Sequence, residues 1–72
     1  PAVVVEEGHF FREGDRVVVT GRAVNRRKAR VRAVVIAGFY DAERRPMERG
    51  FTVLQSDSAQ SHPLSFVGPS VS

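Results

Sequence analysis

Only two histidines, His9 and His62, and no cysteine occur in this 72-residue chain. The residues that could do acid–base or nucleophilic chemistry are therefore few. Ser58, Asp57 and His62 include the three members of a nucleophilic triad. In such a triad the imidazole takes the hydroxyl proton and the carboxylate orients the ring. That chemistry needs its serine on a sharp strand–turn–helix elbow, and the serine-rich stretch 56–61 has no such frame. His62 stands directly before Pro63, which predicts a turn role. Glu6, Glu7 and His9 carry metal-ligating atoms, but neighbours along a strand point to opposite faces, so they do not converge. Without thiols there is neither a disulfide nor a thiolate zinc site. No phosphate-cradling glycine loop or dinucleotide fingerprint is present. The sequence thus predicts a non-enzyme, with no catalytic residue, metal, cofactor or small-molecule substrate.

Charge is the clearer signal. From residue 22 to residue 32 every charged side chain is basic: Arg22, Arg26, Arg27, Lys28, Arg30 and Arg32. After Gly50 the only charged residue is Asp57, and the formal net charge is +3. A basic hairpin of this kind neutralises nucleic-acid phosphates and releases counterions. It equally suits an anionic membrane surface, at about 1 kcal/mol per basic residue. The plain alternative is a solvated hairpin whose charges keep an edge strand from pairing. Single-strand binders interleave their basic residues with stacking aromatics. None falls within 22–32, and Tyr40 lies beyond it. Nucleic acid is therefore the second reading.

The elements that would carry these residues are strands. Valine dominates the apolar residues, in Val3-Val4-Val5, Val17-Val18-Val19 and Val34-Val35-Ile36, while leucine occurs only at Leu54 and Leu64. β-branched side chains suit a pleated sheet better than a helix. Strands are predicted at 2–6, at 16–24 with a bulge or bend at Gly21, at 29–40, at 50–55 and at 62–67. His9-Phe10-Phe11-Arg12 is predicted as a short strand or a packed aromatic corner. Glu13-Gly14-Asp15 reads as a turn and 25–28 as a hairpin tip. Residues 41–50 read as a long loop around Pro46 with room for one helical turn, and 56–61 as a loop or short helix. In the longest strand, Val31, Ala33, Val35, Ala37 and Phe39 share an apolar face that should meet the core. Arg30, Arg32, Val34, Ile36 and Tyr40 share the other.

The expected fold is all-β: a small OB-like or SH3-like barrel of five to six short strands. It occupies residues 1–67 as a single domain, with 68–72 as a flexible tail. So short a chain buries only about 60% of its unfolded surface. No apolar run approaches the roughly 20 residues of a membrane span, and no signal-peptide pattern opens the chain, so no compartment is selected. Its small size and its start at Pro1 suggest a piece cut from a longer protein.

Two segments carry a family resemblance. Residues 11–23, with Gly14-Asp15 followed by Val17-Val18-Val19 and Gly21-Arg22-Ala23, resemble the turn-then-strand signature of the GIDE domain. Residues 51–58 resemble its closing apolar strand into serine–aspartate. Glu13 stands where that family has proline. The resemblance implies a β-rich interaction domain of a membrane-anchored protein. The segment 13–19 also resembles the opening of KOW-type SH3-like domains, which contact nucleic acid or ribosomal partners; the further glycine they carry after Gly21 is missing. The leading expectation is a non-catalytic module making protein or self-association contacts through Val34, Ile36 and Tyr40. The alternative is nucleic-acid binding through the basic hairpin.

Overall fold

A computed structural model of the chain describes residues 2–70. Five strands follow one another: β1 (Val3–Glu13), β2 (Arg16–Asn25), β3 (Val31–Tyr40), β4 (Pro46–Ser56) and β5 (Ser61–Pro69). No helix occurs among the described residues, as expected of so valine-rich a chain. All pairing is antiparallel. β1, β2 and β5 form one sheet in the order β1-β2-β5, and β3 and β4 form a second. The architecture is all-β, in two sheets. No ladder joins the sheets, so the five strands do not close into a barrel among the described residues.

The β1–β2 turn follows from one residue. Gly14 has φ of 62°, in the left-handed region, and Glu13 pairs with Arg16 across it. A glycine in that first central position, with two residues in the loop, matches the twist of the flanking strands. β1 runs as one strand through His9-Phe10-Phe11-Arg12, which sequence had separated from 2–6. The interruption is a bulge between Glu6 and His9, with Glu7 at φ 55°. The irregularity expected at Gly21 thus falls on the strand opposite it. A bulge absorbs an extra residue while the ladder continues. The aromatic pair is not packed as a corner: Phe10 is 79% exposed and Phe11 about half exposed.

The predicted 41–50 loop is much shorter than expected. Asp41 Oδ1 accepts the backbone N–H groups of Glu43 and Arg45, both at 2.9 Å, and its Oδ2 faces Arg45 Nε at 2.9 Å. The Asp41 N–H donates to the Arg45 carbonyl at 3.0 Å. An aspartate that captures nearby amides makes a compact turn without helical bonds. β4 therefore starts at Pro46, a strand position where the missing N–H is tolerated. These bonds, the Arg45 amide foremost, hold the Asp41 carboxyl below its ordinary value of 3.8.

The β3–β4 hairpin lies over β5. A Cβ placed on Gly68 would stand 2.4 Å from the Phe39 ring, and one on Gly50 would stand 3.0 Å from Phe66. Phe39, Leu64 and Ala23 are the buried apolar residues. The inner face of β3 alternates as the sequence predicts, with Val31, Ala33, Val35 and Ala37 half-buried and Phe39 buried. β5 extends to Pro69, and the Ser70 N–H donates to the Asp15 carbonyl at 3.1 Å. Gly68 and Pro69 thus belong to β5, and Ser70 is bonded to the β1–β2 turn; residues 71 and 72 of the predicted tail lie outside the described residues.

The molecule is long for its mass, 43 × 21 × 15 Å, with a radius of gyration of 13.7 Å. A compact chain of this length has a radius of about 11 Å. Its accessible surface is 5387 Å², where a compact monomer of this mass exposes about 4,500 Å².

Candidate interaction face and basic hairpin

The outer face of the β3–β4 hairpin is built by register. Ile36 pairs with Phe51, and Val34 pairs with Val53. Directly opposed residues share a face, so two apolar rows merge into one patch. Val34 is 57% exposed, Ile36 59%, Tyr40 58% and Phe51 71%, and Val53 is 46% exposed. The Tyr40 ring lies back over Gly38, close enough that a Cβ there would meet its Cε2 at 3.0 Å. Gly38, which has no side chain, thus continues the apolar surface under the ring. Sequence identified Val34, Ile36 and Tyr40 on this face but not Phe51 and Val53. The alternation over 50–55 placed those two together on one side; which strand they met required the register.

The charges on the same face are Arg32, opposite Gln55, and Arg49, opposite Gly38. Glu48 is opposite Phe39, on the other side. By register Arg32 and Arg49 are thus the charged strand residues of this face, while Glu48 lines the cleft shared by Ile36, Tyr40 and Arg49 at the end of the hairpin.

The basic segment 22–32 is not the hairpin expected from sequence: β2 pairs with β1 and β5 and β3 with β4, so residues 26–30 cross from one sheet to the other. The segment's charge is also less uniform than its sequence. Arg22 Nε lies 2.9 Å from Glu7, and its guanidinium also donates to Ser61 Oγ at 2.9 Å. Arg26 pairs with Glu6, and Arg30 reaches Asp57 at 3.5 Å. The bulged β1 strand and the β4–β5 turn bring these acids in from other parts of the chain. Arg27, Lys28 and Arg32 form no ion pair among the described residues. Half of the sequence cluster is thus matched by local anions, which lowers the charge available to an incoming phosphate. All three pairs are exposed, and each contributes at most about 1 kcal/mol.

The end of β2 carries a polar joint. Asn25 and Ser56 are each 1% exposed. Asn25 Nδ2 donates toward three carbonyls, of Ala29 at 2.9 Å and of Ser56 and Asp57 at 3.0 Å. Its Oδ1 accepts the Arg27 N–H at 2.9 Å. Its backbone exchanges bonds of 3.1 Å with Gln60 and Ala59. One amide thereby ties the 26–30 connection to the β4–β5 turn. Sequence placed Asn25 in an exposed hairpin tip; an Asn before a basic run carries no local sign of burial.

The triad written from Ser58, Asp57 and His62 is not assembled. His62 Nε2 lies 2.8 Å from the buried Ser56 Oγ, and that hydroxyl donates to the Asp57 carbonyl at 3.3 Å. Ser58 Oγ donates instead to the Arg27 carbonyl at 2.9 Å. Asp57 faces Arg30. Glu6, Glu7 and His9 do not gather either, and no group of three potential metal ligands occurs among the described residues. No described helix is long and apolar enough to cross a membrane.

No family model, curated protein or solved structure matches this chain.

Proposed function

We propose that this chain is a non-catalytic interaction module that makes protein or assembly contacts through the outer face of its β3–β4 hairpin. The single observation that carries this reading is the registered apolar patch of Val34, Ile36, Tyr40, Phe51 and Val53 in water. Contiguous apolar surface of this kind marks a partner site. The barrel expected from sequence belongs to this reading as well: closure of the two sheets would come with the partner. A β-rich interaction role also accords with the resemblance to the GIDE domain and with a place in a larger, membrane-anchored protein.

The test is sedimentation of the chain over a range of concentrations, beside an Ile36→Ser/Tyr40→Ser variant. The expected result is self-association or partner capture that the variant loses while its circular dichroism keeps the β signature. Unfolding of the variant would make both residues core and end the proposal.

Nucleic-acid binding is the second reading, favoured by the unmatched Arg27, Lys28 and Arg32 and opposed by the ion pairs on the other three. It requires binding at low salt that weakens steeply as salt is added. A low-salt titration without binding eliminates it.

A further inference from the structure

Four strand edges have no ladder partner among the described residues, those of β1, β3, β4 and β5. β4 lies against β5, and the edges of β1 and β3 border one cleft. The cleft has a volume of about 420 Å³. Val3 and Val5 line one side, and Val31, Arg32, Ala33 and Val35 the other. It adjoins a second cleft of about 350 Å³ between the sheets, lined by Val19, Leu64 and Phe66 and sharing Val5 and Val35 with the first. The gap between β1 and β3 is therefore the way into the apolar interior.

The two edges differ in protection. β1 has a bulge at Glu6–His9, and it carries Glu6 and Glu7. Bulges and charges are what keep natural edge strands from pairing. β3 has neither over Val31–Gly38 except Arg32, its bulge falling at Phe39–Tyr40. It also belongs to a two-stranded sheet, which is marginal until a third strand joins it. We infer that the β3 edge accepts an extended segment of a protein partner, apolar at alternate positions and acidic opposite Arg32, which lies in the β1–β3 cleft. The inference rests on the interaction-module reading and names the partner's chemistry. Backbone bonds to β3 supply affinity, and alternate side chains supply selectivity. Inward side chains meet Val5 and Val35. Outward ones meet Arg32, Val34 and Ile36; Arg32 is the only charged residue among the described residues lining the cleft, and its guanidinium has no ion pair among them. An acidic occupant is favoured over a second copy pairing through its own β3, because that strand carries Arg32 and no acidic residue.

The experiment titrates the chain with two fluorescent peptides of roughly eight residues, a usual strand length. Both have valine at alternate positions; one has glutamate between and the other lysine. Anisotropy reads affinity, and amide shifts read location. The glutamate peptide should bind about tenfold tighter than the lysine peptide, and Arg32→Glu should reverse the order, as expected of complementary charge. Shifts should concentrate on residues 3–5 and 31–36, and N-methylation of alternate peptide amides should abolish binding. Absence of binding, equal affinities, or shifts on Phe51 and Val53 overturn the inference. So does a concentration-dependent dimer that excludes the peptide, which would give the cleft to a second copy. A peptide that fails to bind while Ile36→Ser/Tyr40→Ser still abolishes association removes the inserted strand and leaves the interaction module standing.

Discussion

The joint around Asn25 and the outer face of the β3–β4 hairpin invert the usual distribution of polarity. At the joint, polar side chains are buried and bonded: Asn25 and Ser56 are 1% exposed, and no buried side-chain polar atom lacks a partner among the described residues. On the outer face, Ile36 and Phe51 stand opposite one another in water. Buried polar groups are tolerated once their hydrogen bonds are satisfied, whereas exposed apolar surface gains by being covered. The joint is thus complete within one chain. The face is not, and it gives the clearest physical ground for an interaction function.

Substitutions should separate the two regions by the size of their effect on folding. The largest is expected at the joint. Asn25→Ala removes the donor to three carbonyls and the acceptor for Arg27 N–H, and should destabilise by about 3 kcal/mol. Denaturant unfolding measures it; a loss near zero would mean that water replaces the amide and that the joint is not self-contained. Next is the seam between the sheets. Gly68→Ala forces the Phe39 ring to move, an overpacking cost of about 1–3 kcal/mol. Thermal melts with near-ultraviolet circular dichroism would show it, and an unchanged melting temperature would place Phe39 elsewhere.

On the outer face, Phe51→Ser should change stability by less than about 0.5 kcal/mol, as exposed sites do. Its effect should be read in association instead, by sedimentation. A large loss of stability there would erase the contrast with the joint.

The smallest effect is expected at Asp41, in the β3–β4 turn. Its carboxyl is held below 3.8, first by the Arg45 amide. A depressed folded-state value stabilises the fold above the unfolded value, and this contribution is lost as pH falls through the depressed one. The group is at the surface, so the loss is slight. Asp41→Asn should remove this part of the acid sensitivity, seen by comparing melts of the two chains from neutral pH downward. Identical acid profiles would show that the turn does not report the carboxyl's charge.

Much of the fold was legible along the chain because strand formation is a local property. Valine runs predict strands, Gly14-Asp15 predicts the first hairpin turn, and the period-two pattern of 31–39 assigns the inner face of β3. The misread segments are those where a side chain captures the backbone or a bulge interrupts the ladder. Asp41 shortens a loop by taking two amides, and the Glu6–His9 bulge joins two predicted strands into one. Neither leaves a mark in hydropathy.

For function, sequence determined the inventory: no thiols, few histidines, a run of basic residues, and Val34, Ile36 and Tyr40 on one side of a strand. Composition and alternation are enough for that. The tertiary structure decided which residues meet. It brought Glu6, Glu7 and Asp57 to half of the basic run, buried Asn25, set His62 on Ser56, and placed Phe51 beside Ile36. Those contacts join residues far apart in sequence, and antiparallel register, which no single segment encodes, selects the partner.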